Sequence, residues 1–311
     1  MNGGPGPRTL VAGDLEATFL PGRGMLGASL RHRGAELLRR VEDLDAAAAK
    51  GSTAGIPLLH PWANRLDGLR YRVAGREVTL DPGSPLLHLD DRGLPMHGVP
   101  WSRLEWDVTA SSRDRIAARL DWTLPGLLAI FPYPHRIELD AALSPDALTL
   151  ATTLVAGADG PVPAAFGFHP YFGIPGVPRS AWRLTLPPMR RLALDGRGIP
   201  TGGEVPFAAW DSLLGEQTFD DGFALLAGSP KFALGGGGRR IVVEPLSGFT
   251  HAQVFAPPGK DFVALEPMTA PTNALESGRG LRLVGAGDAL RAVFRVRIEP
   301  DGPPVVGSPA R

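Results

Sequence analysis

Two segments of the sequence place a titratable side chain inside an otherwise apolar run. Phe-Gly-Phe-His-Pro-Tyr-Phe, residues 166–172, carries His169, and Phe-Val-Ala-Leu-Glu-Pro, residues 262–267, carries Glu266. A buried ionisable group without a partner is costly, so such positions usually serve chemistry or a satisfied polar network. An imidazole and a carboxylate on opposite sides of one pocket can donate and withdraw protons on a substrate with two exchangeable oxygens. The two segments therefore predict an acid–base pair.

Other segments carry side chains that suit a pocket for a polyol. Guanidinium forks, amides and carboxylates hydrogen-bond hydroxyl groups, and aromatic faces pack against sugar C–H surfaces. Taken one at a time, each residue has an ordinary structural explanation, as a turn residue, a core histidine, a core aromatic or a strand-terminal carboxylate. The candidates are Asn64, Arg65, His97, Trp101, Tyr171, Asp220 and Asp221.

Composition narrows the class of protein. The chain has 311 residues, of which 43% are hydrophobic, enough for a sizeable core. Its formal net charge is zero, which argues against a nucleic-acid or anionic-membrane partner. There is no cysteine, and no segment approaches the roughly 20 apolar residues of a membrane span or has the pattern of a signal peptide. We expect a cytoplasmic protein, monomeric or weakly dimeric, that binds a small molecule.

The elements that must position these residues are short strands. Apolar and polar residues alternate with a period of two between frequent glycines and prolines, whereas helical periodicity is nearly absent outside Val41–Lys50. This pattern predicts an all-β fold, an antiparallel sandwich or barrel in a single domain with its core at about residues 10–299. We expect Gly235–Gly238 to form a turn and the tail from Pro300 to be disordered. The predicted strands and hairpin are Leu15–Phe19, Arg115–Leu124, Ile137–Leu143, Trp182–Leu186, Leu290–Ile298 and a hairpin at Tyr71–Leu80 around Ala74-Gly75.

One motif mimics a dinucleotide-binding loop. Gly22, Gly24 and Gly27 have the Gly-x-Gly-x-x-Gly spacing, and Asp43 follows at about the distance of a ribose contact. The preceding residues 15–21 alternate like an antiparallel strand, and no series of parallel strands and helices follows. We interpret these residues as turn glycines and expect no nucleotide cofactor.

The joint order of the candidate residues resembles the aldose 1-epimerase (galactose mutarotase-like) family over roughly residues 15–298. The most specific part is His-Pro-Tyr-Phe at residues 169–172 with the downstream Leu-Glu-Pro at 265–267 and Asn-Ala-Leu at 273–275. The resemblance implies an antiparallel β-supersandwich and a mutarotase that needs neither cofactor nor metal. It makes His169 the general acid and Glu266 the general base, with sugar contacts from Asn64, Arg65, His97 and Asp220. We expect Trp101 and Tyr171 to offer aromatic faces to the sugar.

The sequence does not identify which sugar is the substrate. Leu-Pro-Met precedes His97, and Asp221 follows Asp220, whereas the galactose branch has an asparagine-rich approach and a histidine at these places, so galactose does not follow. A branch that acts on hexose 6-phosphates needs several guanidinium groups, for which Arg70, Arg72 and Arg103 are candidates. A non-catalytic sugar-binding protein and, more remotely, a metal-dependent hydrolase are the alternatives in other classes.

Overall fold

Antiparallel strands dominate the computed structural model, which describes residues 6–49 and 51–300. Three short α-helices lie between them: α1 (Leu44–Ala49), α2 (Pro125–Ile130) and α3 (Ala274–Ser277). Single 3-10 turns lie at Pro21–Arg23, Trp101–Arg103 and Arg179–Ala181. The strands of the described residues are β1 (Arg8–Ala12), β2 (Leu15–Leu20), β3 (Leu26–His32), β4 (Ala35–Glu36), β5 (Leu58–Leu59), β6 (Arg70–Val73), β7 (Arg76–Thr79), β8 (Asp107–Ser111), β9 (Arg115–Trp122), β10 (His135–Leu143), β11 (Ala147–Ala156), β12 (Val162–Ala164), β13 (Gly167–Phe168), β14 (Tyr171–Phe172), β15 (Arg183–Leu186), β16 (Met189–Leu194), β17 (Pro200–Phe207), β18 (Trp210–Leu213), β19 (Phe219–Leu225), β20 (Phe232–Gly236), β21 (Arg239–Ser247), β22 (His251–Ala256), β23 (Val263–Met268), β24 (Arg282–Val284) and β25 (Ala289–Pro300).

Two large sheets form the sandwich. One has nine strands in the order β18-β15-β20-β21-β25-β11-β10-β9-β8, and the other has eight in the order β17-β16-β19-β22-β23-β13-β5, with β14 also paired to β23. Phe168 on β13 and Phe294 on β25 bring the two sheets into contact, with ring centroids 5.0 Å apart. Smaller sheets are β1-β2-β3-β4, β12-β24 and β6-β7. The all-β antiparallel prediction is confirmed.

The period-two pattern predicted most of the side chains that enter the core, although in β25 Val293 is also buried and Leu290 is only half-buried. Along β10 the residues from His135 to Leu143 alternate strictly between buried and half-buried, and β25 buries Phe294, Val296 and Ile298 between its arginines. The hairpin of β6 and β7 turns at Ala74 and Gly75, both with positive φ, as a two-residue loop requires. The predicted helix is present as α1, but it begins at Leu44 and not at Val41, and Lys50 lies outside the described residues.

Two further predicted boundaries shift. The strand predicted to reach Leu124 ends at Trp122, because Pro125 starts α2, and this leaves Leu124 57% exposed. Of the glycine run, Gly235 and Gly236 belong to β20, and only Gly237 and Gly238 form the turn into β21. The tail predicted to be disordered, beyond Pro300 itself, lies outside the described residues. No helix among the described residues is both long and apolar enough to span a membrane.

Candidate active site

His169 and Glu266 meet on the eight-stranded sheet. Every residue of β23 is buried, so the Glu266 carboxylate lies in the interior, only 2% exposed. His169 lies in the link between β13 and β14, which both pair with β23. Its Nε2 is 3.2 Å from Oε1 of Glu266, and its side chain is 6% exposed. The two side chains predicted to lie on opposite sides of one pocket are instead in direct contact.

Burial shifts the two groups in opposite directions. It lowers the pKa of His169 well below its usual value, an effect to which His97 adds, and it raises the pKa of Glu266, to which Asp220 adds. Both shifts disfavour the charged forms. Neutral imidazole with carboxylic acid, and imidazolium with carboxylate, contain the same number of protons. One proton can therefore lie at either end of the 3.2 Å contact without changing the net charge of the pair.

Tyr171 joins the pair through its hydroxyl group. Its oxygen is 3.2 Å from Nε2 of His169, and the two rings stack with centroids 4.2 Å apart. The same hydroxyl hydrogen-bonds the buried hydroxyl of Thr53. The His169 ring is thus held in place by its neighbour two residues away, and the cavity contains a chain of exchangeable protons from Thr53 to the imidazole.

Two residues with a left-handed backbone conformation help to form a second wall of the site. Asn64 and His97 both have positive φ, 56° and 62°, and the His97 amide donates to the Asn64 carbonyl at 2.8 Å. Non-glycine residues seldom adopt this conformation, and it concentrates at functional sites. Asn273, also left-handed at φ 62°, accepts from the Asp67 amide and donates its own amide to the Arg65 carbonyl. Through these two hydrogen bonds Asn273 stabilises the turn that carries Asn64 and Arg65.

The side chains of this wall are polar and fixed. Nε of Arg65 donates to Asp90 at 2.7 Å, and its Nη1 donates to Oδ1 of Asn64 at 3.2 Å. Burial, with Arg65 and His88 contributing, lowers the pKa of His97 to about 3. The His97 imidazole is therefore neutral near pH 7 and offers a hydrogen bond without a charge. Its ring lies edge-on to that of His169, 5.4 Å between centroids.

Asp220 completes the polar lining from β19. Its Oδ1 accepts a hydrogen bond from Gln253 at 2.8 Å, and Gln253 lies directly opposite Glu266 in the pairing of β22 with β23. Asp221 is not in the cavity wall, and its carboxylate is 3.5 Å from Arg191. Of the two aspartates, Asp220 is therefore the one that lines the cavity.

Together these residues enclose a cavity of about 230 Å³. This lies below the roughly 300–1,000 Å³ typical of sites for drug-sized ligands, so it suits a small polar molecule. The lining residues are Arg39, Gly51, Ser52, Thr53, Asn64, Arg65, Met96, His97, His169, Tyr171, Asp220, Gln253, Phe255 and Glu266.

One predicted contact residue does not reach the cavity. Trp101 is 4% exposed in a 3-10 turn, its indole N–H donates to the Ser52 carbonyl, and it is not part of the cavity wall. Its face is covered by protein, so stacking on a ligand in this cavity does not fit. The candidate phosphate ligands Arg70, Arg72 and Arg103 also lie outside the wall.

Sequence reasoning missed seven lining residues: Arg39, Gly51, Ser52, Thr53, Met96, Gln253 and Phe255. Gln253 is a polar side chain inside the buried strand β22, the same signal that identified Glu266, and it could have been found. Arg39, Thr53 and Phe255 carry no comparable signal. Arg39 packs its guanidinium over Phe262 at 4.8 Å and donates to the Thr53 carbonyl, contacts that only the folded chain creates.

A sequence model of a protein family matches most of this chain. The model described as "Aldose 1-epimerase" matches residues 27–297. The chain belongs to the aldose 1-epimerase family. The matched range contains His169, Glu266 and all the cavity-lining residues, so the cavity is part of the family's shared domain and not of an added segment.

Solved structures show the galactose mutarotase-like fold. A galactose mutarotase-like protein from Clostridium acetobutylicum is similar over 94% of this chain and 95% of its own, with a TM-score of 0.80 and 19% identity. A protein from Synechocystis sp. PCC 6803 covers 96% of both chains, with a TM-score of 0.79 and 22% identity. Galactose 1-epimerase from Lactobacillus acidophilus NCFM covers 94% of both, with a TM-score of 0.75 and 14% identity. No curated protein matches the chain significantly in sequence.

The described residues contain no cluster of three or more histidine, cysteine, aspartate or glutamate side chains arranged to hold a metal ion. The Gly-x-Gly-x-x-Gly stretch lies at the turn between antiparallel β2 and β3, with Gly24 at φ 68°. Gly22 and Gly24 lie in this turn, as the sequence predicts, whereas Gly27 belongs to β3.

Proposed function

We propose that this member of the aldose 1-epimerase family is a mutarotase that interconverts the α and β anomers of a free aldose without a cofactor. One observation carries the proposal: the contact between His169 and Glu266 lies in the wall of a polar cavity of monosaccharide size. The second carboxylate oxygen of Glu266, Oε2, is buried without a hydrogen-bond partner in residues 6–49 and 51–300. A buried carboxylate oxygen left free is expensive, and a substrate hydroxyl group would satisfy it.

The reaction requires two coordinated proton transfers. Glu266 takes the proton from the C1 hydroxyl while His169 gives a proton to the ring oxygen. The bond from C1 to the ring oxygen breaks as the C1 carbonyl forms, giving the open-chain aldehyde. Rotation about C1–C2 presents the other carbonyl face, and reversal of the transfers closes the ring as the opposite anomer. Each positioned acid or base contributes about 10²- to 10⁴-fold.

The contact between His169 and Glu266 suits this exchange, because a proton that moves between the two groups leaves the net charge of the buried pair unchanged. The reactive form of the pair is imidazolium with carboxylate, which holds the same protons as the neutral form and needs only a shift along the 3.2 Å contact. The hydroxyl oxygen and the ring oxygen of the hemiacetal are both bonded to C1. The substrate can therefore contact Glu266 through one oxygen and His169 through the other at the same time. After ring opening His169 is neutral and Glu266 is protonated, so His169 is now the base and Glu266 the acid. Ring closure uses them in these roles and restores the starting form of the pair. No proton from bulk water is needed in the cycle.

The remaining wall would hold the sugar. Arg65 and Asn64 donate to hydroxyl groups, Asp220 accepts from them, and neutral His97 does either. The hydrogen bond to Asp90 already holds the Arg65 guanidinium in one orientation, so the side chain loses little entropy when a sugar binds. These are the groups that distinguish one hydroxyl configuration from another.

An unphosphorylated sugar is favoured over a hexose phosphate. Of the two arginines in the cavity wall, Arg65 is paired with Asp90 at 2.7 Å and Arg39 donates to the Thr53 carbonyl. None of the three arginines considered for a phosphate lines the cavity. A purely binding role does not account for an acid and a base placed 3.2 Å apart with one carboxylate oxygen free.

Polarimetry tests the proposal. Freshly dissolved α-glucose, α-galactose and other free aldoses are compared with glucose 6-phosphate, with and without protein. We expect acceleration with at least one free aldose and a much smaller effect on the phosphate. Acceleration of the phosphate alone would assign the alternative substrate, and acceleration of no sugar would contradict a mutarotase.

A further inference from the structure

Arg39 is a cation of the cavity wall that has no anionic partner. Of the two arginines that line the cavity, Arg65 is ion-paired with Asp90, whereas Arg39 pairs with no carboxylate of residues 6–49 and 51–300. Within these residues its guanidinium makes a single hydrogen bond, from Nη1 to the Thr53 carbonyl at 3.3 Å. A guanidinium has five N–H donors in a planar fork. Most of them therefore remain available to a ligand of the cavity.

Two aromatic rings hold the Arg39 side chain in place. Its Cζ lies 4.8 Å from the ring centre of Phe262 and 5.6 Å from that of Tyr171, and these two rings meet edge-on. The backbone amide of Arg39 also donates to the Tyr171 carbonyl, at 2.9 Å. Contacts with aromatic faces fix the position of a guanidinium without neutralising its charge. The charge of Arg39 is therefore fixed in position at the cavity and is not compensated.

A chain of hydrogen bonds connects Arg39 with the acid–base pair. The Tyr171 hydroxyl contacts Nε2 of His169 on one side and the hydroxyl of Thr53 on the other. The Thr53 carbonyl in turn accepts from Arg39. Along the wall the groups therefore follow in the order Glu266, His169, Tyr171, Thr53 and Arg39.

The atoms of a bound aldose follow the same order. This step rests on the proposed function, in which the C1 hydroxyl is at Glu266 and the ring oxygen at His169. The ring oxygen is bonded to C5, and C5 carries C6. The C6 group therefore lies beyond the ring oxygen, on the side of the wall that Tyr171 and Arg39 form.

We propose that Arg39 binds a carboxylate at C6 of the substrate, so that the protein prefers hexuronic acids, such as glucuronate or galacturonate, to the matching neutral hexoses. One guanidinium fork donates two parallel N–H bonds to a planar carboxylate. A hexuronate differs from its hexose only in a carboxylate that replaces the C6 hydroxymethyl group, so it needs no more room in the cavity of about 230 Å³. A C6 phosphate needs several guanidinium groups, whereas Arg39 is the one in the described wall that is not ion-paired.

The first measurement compares paired sugars with the wild-type protein. Anomer exchange of glucuronate and glucose, and of galacturonate and galactose, is followed by NMR at equilibrium, and Kd is measured by calorimetry. We expect at least one hexuronate to exceed its neutral hexose by about tenfold or more in kcat/KM and in affinity, the factor that one charge-assisted hydrogen bond gives. Added salt should reduce this advantage, because it screens the charges.

Substitution of Arg39 tests whether this residue causes the preference. In Arg39→Gln the ratio of hexuronate to hexose kcat/KM should fall by about tenfold or more, whereas Arg39→Lys, which keeps the charge but not the fork, should retain part of the preference. Arg40→Gln is the matched control, because Arg40 is exposed and does not line the cavity, and its ratio should equal that of the wild type. If Arg39→Gln fails to fold, the wild-type comparison and its dependence on salt decide the question.

Two results would overturn the carboxylate site. One is that each hexuronate binds and reacts no better than its neutral hexose; the other is that Arg39→Gln folds and keeps the wild-type ratio. Failure of the proposed function looks different. If the protein accelerates anomer exchange of no sugar, yet a hexuronate binds more tightly than its hexose and loses that advantage in Arg39→Gln, the carboxylate site stands and the mutarotase does not.

Discussion

Nε2 of His169 and Oε1 of Glu266 lie 3.2 Å apart, although the two residues are nearly a hundred positions apart in sequence. The sheet creates this contact, because β23 pairs with both β13 and β14, the strands on either side of His169. Burial opposes charge on both groups. The proposed chemistry depends on this contact.

Tyr171→Phe tests whether the tyrosine hydroxyl tunes the acid. The substitution keeps the ring stacked on His169 but removes the bond to Nε2 and to Thr53. A neutral hydrogen bond is worth about 0.5–1.5 kcal/mol, so we expect kcat to fall by up to about tenfold with little change in KM. Tyr133→Phe is the control, since its hydroxyl bonds the Val73 carbonyl away from the cavity. Equal kinetics for the two variants would show that the hydroxyl plays no part.

Asn273 should stabilise the turn that holds Asn64 and Arg65. Asn273→Gly keeps the left-handed backbone but loses the acceptor for the Asp67 amide, and Asn273→Ala also strains the backbone at φ 62°. We expect the alanine variant to be less stable than the glycine variant by about 1 kcal/mol. Urea denaturation measures both against the wild type. An alanine variant at least as stable as the glycine variant would contradict this role.

Buried histidines should make the fold sensitive to acid. Burial lowers the pKa of His135 and His251 to about 4, and that of His97 to about 3, from 6.5. Between pH 6.5 and 4 the unfolded chain therefore binds protons that the folded chain does not, and the free energy of unfolding falls as the pH falls. Each pKa unit of each histidine corresponds to about 1.4 kcal/mol. Urea midpoints should drop steeply over this range; a constant midpoint would contradict the burial of neutral imidazoles.

Glu266 should change the stability of the fold with pH in the opposite direction to the buried histidines. Burial raises its pKa above 4.5, so its contribution to stability is present below pH 4.5 and is lost as the pH rises through the raised value. Glu266→Gln removes this titration. We expect the variant to gain melting temperature relative to wild type as the pH rises from 4 to 8. A difference between variant and wild type that does not change with pH would contradict a raised pKa.

The sequence was most informative where a polar residue interrupts a buried strand. Glu266 stands out in an apolar run, and the period of two in β10 and β25 predicted their core faces correctly. Gln253 carried the same signal and was overlooked. Such signals are local, because one strand's burial can be inferred from its own residues.

The rest of the cavity depends on contacts between distant segments. Thr53 reaches Tyr171, and Arg39 reaches Phe262, through loops without periodicity. Trp101 shows the converse: an aromatic residue beside His97 suggested a stacking surface, but the fold covers it. Whether an aromatic face is open to a ligand depends on packing, which spacing does not reveal.

The most direct test is the catalysed mutarotation rate of wild type, Glu266→Gln and His169→Asn with the best free aldose, with Glu42→Gln as an exposed control. Sugar binding and folding are checked by calorimetry and thermal melting. We predict that both site variants fold and bind sugar but lose about 10²- to 10⁴-fold in kcat, while Glu42→Gln matches wild type. A folded Glu266→Gln protein with undiminished turnover would contradict the acid–base account.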